Sequence, residues 1–207
     1  MYKSFIKSLL DIIIGILVFP IFLVIFIVLA PIIKLEDNGP VFYKALRVGK
    51  NGKNFMIYKF RSMKVDAPDI RMSDGSTYNG KNDPRVTKIG SIMRMTSLDE
   101  IPQILNVIKG EMSIIGPRPT IPNKKNESVN SLRLERRKVR PGITGYTQAY
   151  FRNSIPQDEK LKYDVDYVKK LSFTLDCKIL FQTMKTVIKR DNIYVNDSRK
   201  QGGKKDA

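Results

Sequence analysis

A long uncharged segment near the amino terminus most restricts how this chain can fold. Residues 12–33 are 22 residues without a charge, and 19 of them are Ala, Val, Ile, Leu or Phe. A straight helix of this length would extend about 33 Å, enough to cross the hydrocarbon layer of a membrane. So many large apolar side chains around a whole helix are difficult to bury in a chain of 207 residues. The segment therefore predicts a membrane helix.

Two membrane geometries fit this segment. Pro20 lacks an amide donor and predicts a kink or break near the middle of the helix. Basic residues stand on both flanks, and the positive-inside bias favours the cytoplasmic side for each of them. A broken helix that enters and leaves by the same leaflet satisfies both features, whereas a straight span leaves one basic flank outside. The residues themselves leave re-entrant and spanning geometries open.

The amino-acid composition limits which partners and catalytic groups the chain can use. The formal net charge is +17, which favours anionic partners such as phospholipid headgroups, nucleotides or nucleic acid. The chain has no His and a single Cys, which excludes His-based acid–base catalysis, an internal disulfide and a thiolate zinc cluster. Catalysis must then use carboxylates, Lys, Arg, Tyr, Ser or a hard cation.

The remaining segments predict a small, mostly helical α+β domain. Turn signals at 37–40 and 49–52 flank short strands at 41–43 and 55–60, which indicates a β-hairpin. Residues 66–85 are polar and predict a loop. Apolar residues at helical spacing predict helices over 89–95, 98–108, 160–170 and 175–190, and the last two are amphipathic and suit a membrane surface or each other.

An acidic pair is the leading candidate for chemistry. In the stretch from Ser97 to Glu100 the spacing predicts a capping box, with Ser97 as N-cap and Glu100 as third helical residue. On that interpretation Asp99 and Glu100 only stabilise the helix start. The same position suits a nucleophilic carboxylate, which we expect Arg94 to keep ionised, and the pair offers oxygen ligands for Mg²⁺.

Two loops with Pro and Gly are candidate anion sites. Residues 116–119 place Arg118 between two prolines, so a stiff backbone presents its guanidinium for bidentate phosphate binding. Residues 140–145 contain Gly142 and Gly145, which would allow backbone amides to approach an anion. Each loop is also consistent with a structural turn, and the second is a weak signal by itself.

In order along the chain, these motifs resemble the bacterial sugar transferases, and more narrowly the small monotopic phosphoglycosyl transferases. The resemblance runs from about Ser4 to Lys189. It rests on the following residues: Asp83-Pro84-Arg85-Val86-Thr87, Gly90, Arg94, Ser97-Leu98-Asp99-Glu100, Pro102-Gln103, Asn106-Val107, Gly110, Met112-Ser113, Gly116-Pro117-Arg118-Pro119 and Arg140-Pro141-Gly142-Ile143-Thr144-Gly145.

The resemblance implies a specific reaction. Asp99 would be the nucleophile and a ligand of Mg²⁺, and Glu100 would complete the catalytic pair. A uridine diphosphate (UDP) sugar would donate a sugar-1-phosphate, undecaprenyl phosphate would accept it, and uridine monophosphate (UMP) would be released. Five other residues match polar, substrate-binding positions of the family: Lys59, Arg94, Arg118, Arg152 and Asp164.

The resemblance also implies an organisation. Residues 1–35 would form a re-entrant membrane helix broken at Pro20, and residues 36–190 a catalytic domain on the cytoplasmic face of the bacterial inner membrane, bound to its phospholipids. Residues 191–207 are polar and predict a disordered tail. The amphipathic carboxy-terminal helices leave an oligomer open.

This sequence departs from the family pattern at two places. Phe19 precedes the proline where the family often has Ser. The stretch 145–152 reads Gly-Tyr-Thr-Gln-Ala-Tyr-Phe-Arg, where the family has Gly-Trp-Ala-Gln-Val-Asn-Gly-Arg. The second departure and the 66–85 loop are where we expect sugar specificity to be determined.

Two other kinds of protein compete with an enzyme. A membrane-tethered nucleic-acid-binding protein would suit the charge, but the chain lacks aromatic-rich basic motifs, so we expect no nucleic acid partner. A catalytically silent scaffold for glycan assembly is the second, and the intact Asp99-Glu100 pair argues against it.

Overall fold

The computed structural model describes residues 2–70, 78–80, 82–122 and 130–189. The fold is α+β and mostly helical, as predicted. The tail at 191–207 lies outside the described residues, as do positions 71–77 and 81 of the predicted 66–85 loop.

Seven helices and four short strands make up the described chain. A π-helical turn at Tyr2–Ile6 leads into the long first helix, and 3₁₀ turns lie at Lys50–Gly52 and Leu98–Gln103. The helices are α1 Lys7–Asp37, α2 Lys88–Thr96, α3 Ile104–Ile108, α4 Ser131–Arg136, α5 Tyr146–Tyr150, α6 Gln157–Lys170 and α7 Phe173–Lys189. The strands are β1 Phe42–Val48, β2 Asn54–Phe60, β3 Ser113–Ile115 and β4 Gly142–Thr144.

The strands form two small sheets. β1 and β2 are the predicted hairpin, paired antiparallel from Phe42 opposite Phe60 to Val48 opposite Asn54. β3 and β4 are parallel, with Ser113 opposite Gly142. The sequence does not reveal the second sheet, because each of its strands has only three residues and is too short to show an alternation of apolar and polar side chains.

The predicted break at Pro20 is not confirmed. α1 is one continuous helix through both Pro20 and Pro31, about 46 Å long. A proline removes one amide donor, while the turns on either side keep their own hydrogen bonds. Packing on both sides of Pro20 also supports the helix, because Gly15 contacts α3 and Phe22 is buried in the core.

α1 lies along the rest of the molecule over most of its length. A Cβ at Gly15 would come within 3.0 Å of Ile108, so glycine permits this close approach to α3. Its buried positions recur at helical spacing on one face, and its remaining faces expose large apolar side chains. The buried positions are Lys7, Asp11, Gly15, Phe22, Leu29 and Ile33.

Both ends of α1 are fastened to the same domain. Near the amino end, Lys7 donates to Asp176 of α7 at 2.7 Å, and Asp11 accepts from the amide of Ile114 at 2.9 Å. At the carboxyl end, Asp37 pairs with Arg61. Contacts near both of its ends therefore hold α1 against the rest of the described chain.

Two apolar cores support the structure. The first lies between α1, the hairpin, α2 and α3, and the second lies between β3, α5, α6 and α7. The first holds Phe22, Leu29, Ile33, Phe55, Ile57, Phe60, Met93, Ile104, Val107 and Met112. The second holds Ile115, Ala149, Tyr167, Val168, Leu171 and Ile179.

Candidate active site

The acidic pair lies on the 3₁₀ turn that follows α2. Ser97 ends α2 with a left-handed backbone (φ 59°), and the chain then turns directly into Leu98–Gln103. The predicted capping box is wrong. An N-cap residue needs an extended backbone, and the Ser97 hydroxyl accepts a hydrogen bond from Arg152 at 3.0 Å instead of from the helix start.

Glu100 is held by three side chains. Its Oε1 accepts hydrogen bonds from Lys59 Nζ at 2.6 Å and from Arg118 Nη2 at 3.0 Å. Its Oε2 accepts from Gln103 Nε2 at 2.8 Å. Because these three donors come from β2, the 116–119 loop and the same 3₁₀ turn, Glu100 joins three parts of the molecule at one carboxylate.

The Asp99 side chain is partly buried beside Glu100. Its carboxylate accepts no hydrogen bond from any residue that the structure describes, although it is close enough to Lys59, Arg94 and Arg118 to interact with their charges. Its oxygen lone pairs are therefore available to a phosphorus atom or a metal ion.

The pKa values of the two carboxyl groups are shifted in opposite directions. Burial and the neighbouring charge of Glu100 raise the pKa of Asp99 to about 6, against the lowering effect of the three cations. Burial also acts to raise the pKa of Glu100, but Arg118 and Lys59 outweigh it and hold that pKa well below its usual range. Divergent pKa values in neighbouring groups are typical of sites where the two have different roles.

Asp99 remains ionised at neutral pH although its pKa is raised. We expected its place at a helix start and the neighbouring Arg94 to keep the carboxylate ionised, and Arg94 does act to lower this pKa. With a pKa of about 6 the group is still about nine-tenths ionised at pH 7. Asp99 thus combines a basic oxygen with a negative charge at neutral pH, a combination that suits a nucleophile.

Arg94 lies on α2 and lines a cavity. Its Nε donates to Ser62 Oγ at 3.0 Å and its Nη1 to Asn79 Oδ1 at 3.3 Å. These bonds fix the guanidinium, and its charge acts on Asp99. The cavity, of about 200 Å³, is lined by Gly80, Asp83, Val86, Thr87, Lys88, Ser91 and Arg94.

Arg152 reaches the same turn from the segment after α5. Its backbone is left-handed (φ 46°). Its guanidinium donates a hydrogen bond to Ser97, which precedes Asp99 by two residues in the sequence. The family's Asn-Gly pair before this position is replaced by Tyr150 and Phe151. These rings join an aromatic cluster, with centroids 4.7 Å apart for the tilted pair Tyr146–Tyr150 and for the stacked pair Phe151–Tyr163.

Asp164 is the one predicted site residue whose contacts lie elsewhere. It is only 2% exposed, and its partners are Arg136 at 2.7 Å and Thr147 at 3.0 Å. The structure therefore brings together Lys59, Arg94, Asp99, Glu100, Arg118 and, through Ser97, Arg152, while Asp164 is buried behind them.

The glycines of the 140–145 loop serve packing. A Cβ at Gly142 would come 2.1 Å from the amide nitrogen of Gly116, and one at Gly145 would come 2.0 Å from the Gly116 carbonyl oxygen. The Gly142 amide donates to the Pro117 carbonyl at 3.0 Å. The expectation that this loop offers its amides to an anion is wrong for Gly142, because that amide holds the Arg118 loop in place.

Sequence reasoning gave no site role to three residues that shape the site. Gln103 and Ser62 hold Glu100 and Arg94, and Arg136 holds Asp164. Gln103 was detectable, since it follows Glu100 by three residues on a predicted helical turn. Ser62 and Arg136 lie 32 and 28 residues from their partners, and no local pattern indicates such contacts.

The residues fit a magnesium ion that relies on its substrate for ligands. The described residues contain no group of three or more Asp, Glu, His or Cys side chains that could hold a metal. Glu100 is already engaged on both oxygens, whereas Asp99 is open. Mg²⁺ often binds one or two carboxylates and completes its shell with water and substrate phosphates, so Asp99 could supply the protein ligand.

Comparison with known proteins shows that this chain matches one protein family over nearly its whole length. The family model described as "Bacterial sugar transferase" matches residues 2–190. An uncharacterized sugar transferase of Haemophilus influenzae is 39% identical, over 91% of this chain and 42% of that protein.

Two named transferases also match. The undecaprenyl-phosphate galactose phosphotransferase of Salmonella typhimurium is 38% identical, over 77% of this chain and 36% of its own length. The UDP-glucose:undecaprenyl-phosphate glucose-1-phosphate transferase of Xanthomonas campestris is 38% identical, over 78% of this chain and 34% of its own. The chain thus spans about two fifths or less of the length of these curated relatives.

Proposed function

The chain belongs to the bacterial sugar transferase family, and we propose that it moves a sugar-1-phosphate from a UDP-sugar to undecaprenyl phosphate and releases UMP. The name of the Xanthomonas campestris relative specifies a UDP-sugar donor and an undecaprenyl-phosphate acceptor, and the name of the Salmonella typhimurium relative specifies the same acceptor; both names support the proposal. One observation carries the proposal: Asp99 is an open carboxylate beside a fully engaged Glu100, within reach of three cationic side chains.

The first step is attack by Asp99. An Asp99 oxygen forms a bond to the phosphorus that carries the sugar, and the bond between that phosphorus and the oxygen bridging the two phosphates breaks. The bridging oxygen keeps the electron pair and leaves as part of UMP. The product is an acyl phosphate, a mixed anhydride between the Asp99 carboxyl group and the sugar phosphate. Lys59, Arg94 and Arg118 offset the negative charge that would otherwise repel the carboxylate.

The second step reverses the roles. An oxygen of undecaprenyl phosphate forms a bond to the same phosphorus, and the bond to Asp99 breaks and restores the carboxylate. Two steps allow a soluble donor and a lipid acceptor to use one small site in turn. Glu100 remains bound to Lys59 and Arg118 throughout, so it keeps both cations aimed at the reacting phosphate.

A bound Mg²⁺ would neutralise diphosphate charge and orient the leaving phosphate. Asp99 is the residue we propose to hold it. The described residues supply too few ligands for tight binding without substrate, so affinity for the ion should depend on the donor.

We place the enzyme on the cytoplasmic face of the bacterial inner membrane, with residues 36–190 as its catalytic domain. By length and composition, α1 is apolar enough to enter a membrane. Because both of its ends bind the same domain, the domain and both ends would stay on one side. The +17 charge would hold this surface against anionic phospholipids.

A panel of UDP-sugars tests the function. Purified full-length protein in detergent or nanodiscs is mixed with each donor, undecaprenyl phosphate and Mg²⁺, and UMP and glycolipid are quantified. We expect equal amounts of both products from at least one donor, and none when a chelator removes Mg²⁺. A protein that turns over no donor, or turns one over equally well with the chelator present, would contradict the proposal; the first outcome would favour a scaffold.

The rate should depend on pH through Asp99. Because the pKa of this carboxyl is raised to about 6, the nucleophile is lost as pH falls through that value. We expect kcat/KM for the donor, measured at low Mg²⁺, to rise with a midpoint near pH 6 and to level off above pH 7. A profile that is flat between pH 5 and 7 would contradict a pKa near 6 for the carboxyl group that must be ionised.

A further inference from the structure

A buried carboxylate behind the site anchors an arginine. Asp164 of α6 accepts from Arg136 Nε on Oδ2 at 2.7 Å and from Thr147 on Oδ1 at 3.0 Å. With both oxygens engaged and the residue 2% exposed, Asp164 has no surface left for a substrate. Its role must therefore act through its partners.

The anchored arginine reaches the backbone of the site. Arg136 Nη2 donates to the carbonyl oxygen of Arg118 at 2.6 Å. The side chain of Arg118 is 53% exposed and pairs with Glu100 at 3.0 Å. Asp164, Arg136, the Arg118 backbone and Glu100 thus form one continuous chain of charge-assisted contacts.

We propose that Arg136, held by Asp164, is a positioning residue that fixes the Arg118 peptide so that the Arg118 guanidinium meets Glu100 and the reacting phosphate. This inference rests on the proposed transfer reaction and adds a residue to its machinery. It also changes the interpretation of Asp164, which we predicted as a substrate-binding residue.

The geometry requires an arginine at position 136. One guanidinium donates from Nε to the carboxylate and from Nη2 to the carbonyl, and its planar fork fixes the angle between these two bonds. A lysine would keep the charge beside Asp164 but would have a single flexible head. Without the second bond, the 117–120 segment loses a restraint directly at the residue whose exposed side chain must be placed.

The test is a double-mutant cycle with Arg136→Lys and Arg118→Ala. Arg136→Lys keeps the buried charge paired, so it should fold. We expect it to lower kcat/KM by about tenfold in the wild-type background. In the Arg118→Ala background it should change kcat/KM by less than about twofold, because the group that it positions is gone. Arg133→Lys, an exposed position on the same helix, is the matched control and should leave activity unchanged.

Additive losses in the cycle would overturn the positioning role while leaving the transfer reaction intact. A second readout needs no activity. The amides of Val48 and Gly142 donate to the carbonyls of Thr120 and Pro117, and the Gly116 amide donates to Thr144. Hydrogen exchange at Val48 and Gly142 should accelerate severalfold in Arg136→Lys relative to Gly116; equal exchange would refute the proposal even if no donor is turned over.

Discussion

Replacing Asp99 by Asn is expected to lower turnover by on the order of 10⁴-fold or more, because an amide cannot form the bond to phosphorus. The substitution is nearly isosteric, so substrate binding and the contacts of Glu100 should survive. Product formation would be measured as UMP and glycolipid, with the wild-type protein at a thousandfold lower concentration as reference. Turnover within tenfold of wild type would remove Asp99 from the mechanism.

The same substitution should make the protein more stable. The pKa of Asp99 rises on folding from 3.8 to about 6, so the folded state favours the protonated form. Ionised Asp99 therefore costs stability, and this cost develops as pH rises from about 4 to about 6 and persists above that. Asn carries no charge, so we expect a gain of up to about 3 kcal/mol at pH 7.5 that disappears below pH 4. Thermal unfolding at both pH values checks this.

Replacing Glu100 by Gln is expected to lower kcat/KM by about 10²–10³-fold, because the two cations that Glu100 holds would move. Lys59 and Arg118 would lose their counter-charge and turn to Asp99, the nearest carboxylate, where they would occupy the lone pairs needed for attack. Gln103 would face an amide instead of a carboxylate. Loss of the Glu100 charge should also lower the pKa of Asp99, so the midpoint of the pH profile should move below 6.

The matched control for Glu100→Gln is Glu135→Gln. Glu135 pairs with Lys138 at 2.6 Å on an exposed surface, with the lysine side chain 63% exposed. Exposed pairs contribute little, so this variant should keep wild-type kinetics and change stability by less than about 0.5 kcal/mol. If Glu100→Gln behaves like this control, Glu100 has no role in holding the cations.

Local patterns predicted the elements of this fold well. Helical spacing located α2, α6 and α7 to within a few residues, and turn residues located the hairpin. Those features depend on neighbours within a few positions, which is the range that a sequence pattern reports. The resemblance to a family placed Asp99, Glu100, Lys59 and Arg118, and the structure shows them in mutual reach.

Three features depend on contacts that a local pattern does not contain. Ser97 has the residue type of an N-cap, but the chain reverses there in a left-handed conformation and its hydroxyl binds Arg152, 55 residues away. Pro20 has the residue type of a helix breaker, but packing on either side of it supports a continuous α1. Asp164 has the residue type of a substrate ligand, but its carboxylate already accepts a hydrogen bond from Arg136.

Nucleophilic attack by Asp99 is tested most directly by trapping the phosphosugar on the enzyme. Wild-type protein and Asp99→Asn would each be incubated with Mg²⁺ and a donor labelled in the sugar-bearing phosphate, without acceptor, quenched, digested and analysed by mass spectrometry. We expect label on the peptide that contains Asp99, loss of that label when undecaprenyl phosphate is added before the quench, and no label in the variant. An unlabelled Asp99 peptide in protein that turns over once the acceptor is supplied would contradict nucleophilic attack by Asp99.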